Sequence, residues 1–305
     1  METIADFNAL MNKLQSMTNR KRVAVVCPND SHTEYVIERG LNEGLVNFLL
    51  IKGGACSPEL RNICAQFSDH VEVIDTPTPD DAARIAVQAV REGKADVLMK
   101  GTINTDNLLK AVLNKECGLL QEGHILTHIT MAQIPSYHKL LLFSDAAVIP
   151  NPTLEQFRAI VKYGAHICHH IGIARPNIAL IHCTEKTSEK FPHTLSYQQL
   201  KEDAANGMFG DVEIGGPMDV KTACDAESGR LKGIQSPVVG NADMLVFPNI
   251  EAGNVFYKTI SLFADAEMAG ILCGTTAPVM VASRADSNQS KYNSLALACI
   301  AGNDK

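Results

Sequence analysis

Short apolar runs alternate with stretches of helical period along the first third of the chain. Positions 22–27 (RVAVVC) and 46–51 (VNFLLI) are continuous runs rich in β-branched residues, as in strands buried on both faces. Helical patterns follow at about 31–43 and 58–67, and 71–74 is a further short strand. Thr78 is a good N-cap, Pro79 suits the first helical position, and Asp80 and Asp81 favour the N-terminal dipole. Ala82, Ile85, Ala86 and Ala89 then share one face, Gly93 stops the helix, and 95–99 (ADVLM) is the next strand. Strands alternating with helices predict a mainly parallel sheet covered by helices on both faces.

The rhythm changes after residue 124. Two β-like runs, 125–134 and 139–143, are separated by 135–138 (PSYH) and predict an antiparallel hairpin. A helix over 153–172 and a strand over 178–181 follow. Alternation resumes with strand 244–247, helix 253–264, strands 270–274 and 279–282, and a last helix over 289–301. The Pro/Asn-rich piece 148–153 (VIPNPT) is the best candidate domain boundary, and the 305 residues suffice for two domains. No internal repeat or low-complexity tract interrupts this pattern.

Composition narrows the class. Apolar residues at 46% can build a core, and no run approaches the ~20 apolar residues that span a bilayer. Glu2 and Asp6 stand where a secretory signal would carry a basic start and an apolar core. The nine cysteines form no CxxC pair, which predicts reduced thiols and a cytoplasmic protein. A net charge of −7 argues against a general nucleic-acid binder but leaves room for local cationic and N–H groups that hold phosphate. Neither GxxxxGK[ST] nor a GxGxxG after a strand is present, which counts against a P-loop ATPase and the usual dinucleotide fingerprint.

Four segments concentrate polar chemistry just after apolar strands, where ligands of open α/β sheets bind. In the first, Lys100, Gly101 and Thr102 precede a helix read as capped by Thr105. Free N–H groups at that helix start, with Lys100, suit an anion, while a plain βα turn needs the same residues. In the second, Asp145 ends a strand and can orient a cation or sit in a buried ion pair. The third is the turn containing Asn249, Glu251, Gly253 and Asn254: amides to bind, a glycine for close approach, and a glutamate that also complements a helix dipole. The fourth is Ser283-Arg284-Ala285-Asp286-Ser287, with a guanidinium fork, two hydroxyls and a carboxylate for a base; an Arg–Asp surface pair before a capped helix is the bland alternative. His166, His169 and His170 share a helix face at zinc-compatible spacing, but no HExxH frame accompanies them, and packing or surface roles suit them better.

Together, KGTINTDNLLKAVL (100–113), LTHITMAQIP (126–135), FPNIEAGNVFYKTI (247–260) and APVMVASRADSNQSKYNSLALA (277–298) resemble the phosphate acetyl/butyryltransferases. The similarity is collinear over about 23–301, and the SRADS element is closer to the butyryl branch than to the acetyl pattern NDLSRG. The resemblance implies two three-layer α/β/α domains with an interdomain cleft, of the isocitrate/isopropylmalate dehydrogenase type. It implies a discontinuous first domain, 1–147 with 279–305, and a second over 148–278. It also implies reversible acyl transfer between coenzyme A and phosphate. Coenzyme A is then a substrate, with no further cofactor, no metal, no nucleic acid and no membrane. A homodimer or larger homo-oligomer is usual.

Within that resemblance, Ser283 and Arg284 stand at the developing oxyanion or phosphate. Lys100, Gly101, Thr102, His128, Asp145, Asn249, Glu251, Gly253, Asn254 and Ser287 are candidates for binding coenzyme A, phosphate or the acyl group. The acetyl enzymes carry an acidic residue seven positions after the serine of the SR pair. Here that position is Ser290, so Asp286 is the candidate base for the thiol, with Glu251 and Asp145 as alternatives. Phosphate acetyltransferase, a dehydrogenase of the same architecture and a non-catalytic coenzyme A or phosphate sensor are the competing readings.

Overall fold

The computed structural model describes residues 3–281 and 286–302. Along the chain the helices and strands are α1 (Phe7–Gln15), β1 (Lys21–Val26), α2 (Ser31–Asn42), β2 (Val46–Lys52), α3 (Pro58–Gln66), β3 (Val71–Asp75), α4 (Pro79–Arg91), β4 (Val97–Lys100) and α5 (Thr105–Val112). Then come β5 (Thr127–Gln133), β6 (Leu141–Ser144), α6 (Leu154–His170), β7 (Asn177–Ile181), α7 (His193–Ala205), β8 (Glu213–Met218), α8 (Val220–Cys224), α9 (Ala226–Lys232), β9 (Met244–Val246) and α10 (Ile250–Phe263). The chain closes with β10 (Glu267–Cys273), β11 (Val279–Met280) and α11 (Asn288–Ala301).

Packing divides the chain into two compact units. The first comprises Asn8–Leu126 and Ala269–Lys305, the second Met1–Phe7 and Thr127–Met268. Residues 127–147 thus group with the second unit and 269–278 with the first, whereas the sequence reading put each in the other domain. The hairpin β5–β6 packs on strands that come later in the chain, so its partners lie across the Pro/Asn-rich boundary at 148–153.

In the first unit the strand order is β3-β2-β1-β4-β11-β10. The neighbours from β3 to β11 are parallel, and only β10–β11 is antiparallel. Val23–Val26 and Val97–Met99 are almost fully inaccessible, as a sheet covered on both faces requires. Helix α4 starts as expected, with the Thr78 side chain accepting from the Asp81 N–H and Pro79 at the first position. The second unit orders its strands β5-β6-β9-β7-β8, with β5–β6 antiparallel and the rest parallel. Its core gathers Phe143, Leu245, Phe247, Ile260 and Met268.

Several elements depart from the sequence expectation. Helix α5 is capped by Asn104, whose side chain accepts from the Asp106 N–H, so Thr105 is the first helical residue and not the cap. Helix α10 begins at Ile250 behind an Asn249 cap, three residues before the expected start, which puts Gly253 inside the helix. Strand β8 and helices α1, α7, α8 and α9 carry no expectation from the sequence. The Gly-Gly-Pro of β8 (EIGGPM) hides a strand, because those residues weaken strand patterns.

Candidate active site

In the first unit, β1, β4 and β11 are parallel neighbours, so their carboxyl ends share one edge. The chain leaves β1 through Cys27, a non-glycine residue at φ +54°, a conformation that side chains rarely adopt. The turn after β4 lies directly on it. Gly101 N donates to the Val26 carbonyl at 2.8 Å, and Thr102 donates to the Cys27 carbonyl through its N–H at 2.9 Å and its hydroxyl at 3.0 Å. A Cβ on Gly101 would fall 2.2 Å from the Cys27 carbonyl oxygen, so only glycine fits there. Lys100 ends β4 and reaches the Gly101 carbonyl at 3.2 Å.

Three helices start at this edge: α2 behind Asp30, α5 behind Asn104 and α11 behind Ser287. His32 and Asn288 meet at 2.5 Å, which ties the first turns of α2 and α11 together. Arg39 of α2 donates to Gln289 at 2.8 Å and stacks 4.1 Å over the Tyr292 ring, and the Tyr292 hydroxyl donates to Glu43 at 2.8 Å. Ser287, expected to bind substrate, accepts from the Ser290 N–H at 3.0 Å as the cap of α11. Asp286 immediately precedes that cap. Ser283 and Arg284 lie outside the described residues. Converging helix starts and a lysine make this edge suited to an anion. Burial pushes the Cys27 thiol up, the Gly53 N–H opposes it and the Asp80 charge reinforces it. The thiol is 2% exposed and packs in the core.

In the second unit a second group forms where β6 and β9 end. Asp145 is 1% exposed and accepts four hydrogen bonds. The Thr127 hydroxyl (2.7 Å) and the His128 N–H (3.1 Å) bind one oxygen, and the N–H groups of Ala147 (2.7 Å) and Val148 (2.8 Å) bind the other. The carboxylate therefore has hydrogen-bond donors around both oxygens, and no cation partner is needed to bury it. It pins the start of β5 to the end of β6, and His128 comes with it. The His128 ring nitrogen Nδ1 lies 3.3 Å from the Thr130 hydroxyl.

Helix α10 docks on the same turn through its least bulky residue. A Cβ on Gly253 would lie 2.2 Å from the Asp145 carbonyl oxygen. Asn254 donates to the Ala146 carbonyl at 3.1 Å, and Asn249 accepts from the Ala252 N–H at 2.9 Å. Asp145, His128, Asn249, Gly253 and Asn254 thus meet in one unit, brought together from β5, β6 and α10. Glu251 is exposed in the first turn of α10. Asp145 and Gly253 hold the turn together, and Asn249 spends its side-chain oxygen on the helix cap. Of the His166–His169–His170 face, the His170 ring donates to the His166 carbonyl at 2.9 Å within α6.

Sequence reasoning did not single out Cys27, did not read Asn104 as a cap, and did not pair His182 with His193. Asn104 was legible in principle, as an Asn directly before Thr-Asp at a helix start. The αL turn at Cys27 carries no glycine signal. The histidines are eleven residues apart and meet only through the fold, with His193 Nε2 3.1 Å from His182 Nδ1.

The family model described as "Phosphate acetyl/butaryl transferase" matches residues 63–299. A phosphate butyryltransferase of Clostridium acetobutylicum is 34% identical over 99% of this chain and 100% of its own length. A phosphate acetyltransferase of Thermotoga maritima is 32% identical over 92% of this chain and 95% of its own. Among solved structures, a branched-chain phosphotransacylase from Enterococcus faecalis V583 superposes with a TM-score of 0.81 at 27% identity, covering 92% of this chain and 98% of the other.

Proposed function

The chain belongs to the phosphate acetyl/butaryl transferase family, and on that premise we propose that it is a phosphate butyryltransferase. The reaction is butyryl-CoA plus phosphate giving butyryl phosphate plus coenzyme A, run in either direction. The observation that carries this reading is that the family match, residues 63–299, runs through the turn after β4, the Asp145 turn and the start of α11 alike. The full-length identity to a butyryl enzyme supports the butyryl branch. A phosphate acetyltransferase is the second reading, favoured by the Thermotoga relative at similar identity. The two-domain dehydrogenase-type architecture, the cytoplasmic location and assembly into a homo-oligomer are part of the same proposal.

In the mechanism the coenzyme A thiolate attacks the carbonyl carbon of the acyl phosphate. The C–O bond to phosphate breaks, and the thiol proton passes to a base. Negative charge builds on the carbonyl oxygen and on the departing phosphate, so donors aimed at those atoms carry most of the rate. We assign Arg284 to that charge and Ser283 to a hydrogen bond with it. Lys100 and the backbone N–H groups near Gly101 and Thr102 hold phosphate charge. Asp286, one residue ahead of the Ser287 cap, is the assigned base. Asp145 is a positioning residue, because four protein donors already occupy its oxygens. On the second unit, Asn249, Glu251 and Asn254 are assigned to substrate binding, and no step requires a metal.

The test is release of free thiol from acetyl-CoA and butyryl-CoA, with and without phosphate, in buffer containing a chelator. Phosphate-dependent release that is faster with butyryl-CoA is the expected result. Faster release from acetyl-CoA moves the assignment to the acetyl branch. Coenzyme A binding without release from either leaves a sensor and removes the roles given to Ser283, Arg284 and Asp286. In an active enzyme, Arg284→Ala lowers kcat about 10²–10³-fold.

A further inference from the structure

Helix α11 buries Lys291, Tyr292, Asn293 and Ser294 in succession. Three of these polar side chains are paired. The Tyr292 hydroxyl donates to Glu43 at 2.8 Å, and Asn293 accepts from Gln289 at 2.8 Å. Ser294 accepts from the Gly270 N–H at 2.9 Å and donates to the Ser290 carbonyl at 2.8 Å. Lys291 is 8% exposed, and its side chain has no hydrogen bond or ion pair among the described residues. The buried carboxylates behave otherwise. Asp145 has its four donors, Asp203 binds Arg158 at 2.7 Å and Asp243 binds Lys139 at 2.6 Å. Lysine is seldom buried unless paired, because a charge withdrawn from water is costly without a counter-charge.

Helix geometry fixes where the ammonium goes. Side chains of an α-helix lean toward its N-terminus, and long ones lie over the preceding turn. For Lys291 that is the turn starting at Ser287, whose carbonyl accepts the Lys291 N–H at 3.1 Å. A lysine with a buried stem carries its head out to the nearest polar boundary. Nζ is not among the unpartnered atoms sealed from solvent, so it reaches that boundary. The boundary is the edge where α2, α5 and α11 begin. Contacts run from there to the Lys100 turn within one unit. Asn288 meets His32 of α2 at 2.5 Å, and the Asn29 N–H just before α2 donates to the Cys27 carbonyl at 2.9 Å. The same carbonyl takes the Thr102 N–H and hydroxyl. Asp30, a carboxylate of this edge, is spent on the N–H groups of His32 and Thr33.

We propose that Lys291 is a phosphate-binding residue: its ammonium holds a phosphoryl oxygen of inorganic phosphate in one direction and of the acyl phosphate in the other. The anion supplies the counter-charge that the protein withholds. Lysine suits phosphate as a point charge, and a stem already packed in the core leaves little to order when the ligand arrives. The inference rests on the acyltransferase reading above and adds to it a cation beyond the SRADS element. Coenzyme A carries phosphates as well, so the test separates the two sources.

The experiment compares wild type with Lys291→Met, which keeps an apolar stem and removes the charge, and with Lys291→Arg, which keeps the charge. Inorganic phosphate is the probe in two readouts: its KM in thiol release from butyryl-CoA, and the rise in Tm it produces with no other substrate present. In Lys291→Met the KM for phosphate rises about tenfold or more, the KM for butyryl-CoA stays within twofold, and the phosphate-induced rise in Tm shrinks. Lys291→Arg recovers part of both. Without phosphate, Lys291→Met melts no lower than wild type, because no protein partner is lost. A lower Tm without phosphate, together with an unchanged response to it, shows a structural lysine and overturns the proposal. A rise confined to the KM for butyryl-CoA gives the cation to the nucleotide phosphates and overturns it too. A wild-type protein that phosphate stabilises but that releases no thiol overturns the acyltransferase reading instead; loss of that stabilisation in Lys291→Met then still supports Lys291 as a phosphate ligand.

Discussion

Two positions carry the second-unit site at the scale of single residues. Asp145 binds four donors and Gly253 leaves α10 room to touch the same turn. Gly253→Ala is expected to push α10 off the Asp145 carbonyl and to lower stability by about 1–3 kcal/mol, read from urea unfolding. Activity falls further than stability does if the turn positions substrate. Asp145→Asn keeps the shape but turns one acceptor into a donor that faces the protein's own donors. A loss of about 2–3 kcal/mol follows, measured in the same way. An unchanged unfolding midpoint in both variants would remove Asp145 as the group that holds the turn. The sequence marked both residues as candidates, on the strength of a carboxylate ending a strand and a glycine near a helix start. It did not show that they touch, because they are 108 positions apart and meet only when β6 lies beside β9. Ser287 shows the converse: its place before α11 is legible, and its hydroxyl proves to be a cap.

At the scale of elements, the strands and helices of the first unit were legible because each is either continuously apolar or cleanly capped. Thr78-Pro79-Asp80-Asp81 states a helix start almost by itself. Helix α7 was not legible. It starts behind Pro192 without a side-chain cap, and its apolar positions do not keep to one face. Its first residue, His193, nevertheless meets His182 across the chain, and burial lowers both imidazoles. The consequence for stability has a definite sign. A histidine that resists protonation when folded, but takes it up at about 6.5 when unfolded, costs nothing well above that pH. As pH falls below about 6.5 the unfolded chain binds protons that the folded chain refuses, and stability declines. The fall in Tm between about pH 7 and pH 5 is therefore expected to be shallower in His193→Gln than in wild type. Equal slopes in the two proteins would show that the pair does not contribute. Carboxylates held low by partners, such as Asp203 beside Arg158, act at lower pH and do not enter this window.

For the whole molecule, the candidate residues fall into two groups, one on each unit. Binding to the folded chain alone stabilises it by mass action. Coenzyme A at about a hundred times its Kd is expected to add about 2.7 kcal/mol, seen as a rise in Tm of several degrees. The same rise in chelator-treated protein, with an unchanged rate of thiol release, is the expected outcome if no metal takes part; restoration by a divalent ion would reverse that assignment. Among the described residues no helix is long and apolar enough to cross a membrane. The sequence by itself determined the α/β class, the polar turns after apolar strands and the family, because periodicity, caps and long collinear motifs are local properties of the chain. The tertiary structure alone decided which turns meet. The hairpin β5–β6 groups with strands that come later in sequence, Gly101 packs under Cys27, and His182 finds His193. Such pairings depend on strand order and on close packing between distant segments, and the periodicity of a single segment carries no information about its neighbours in space.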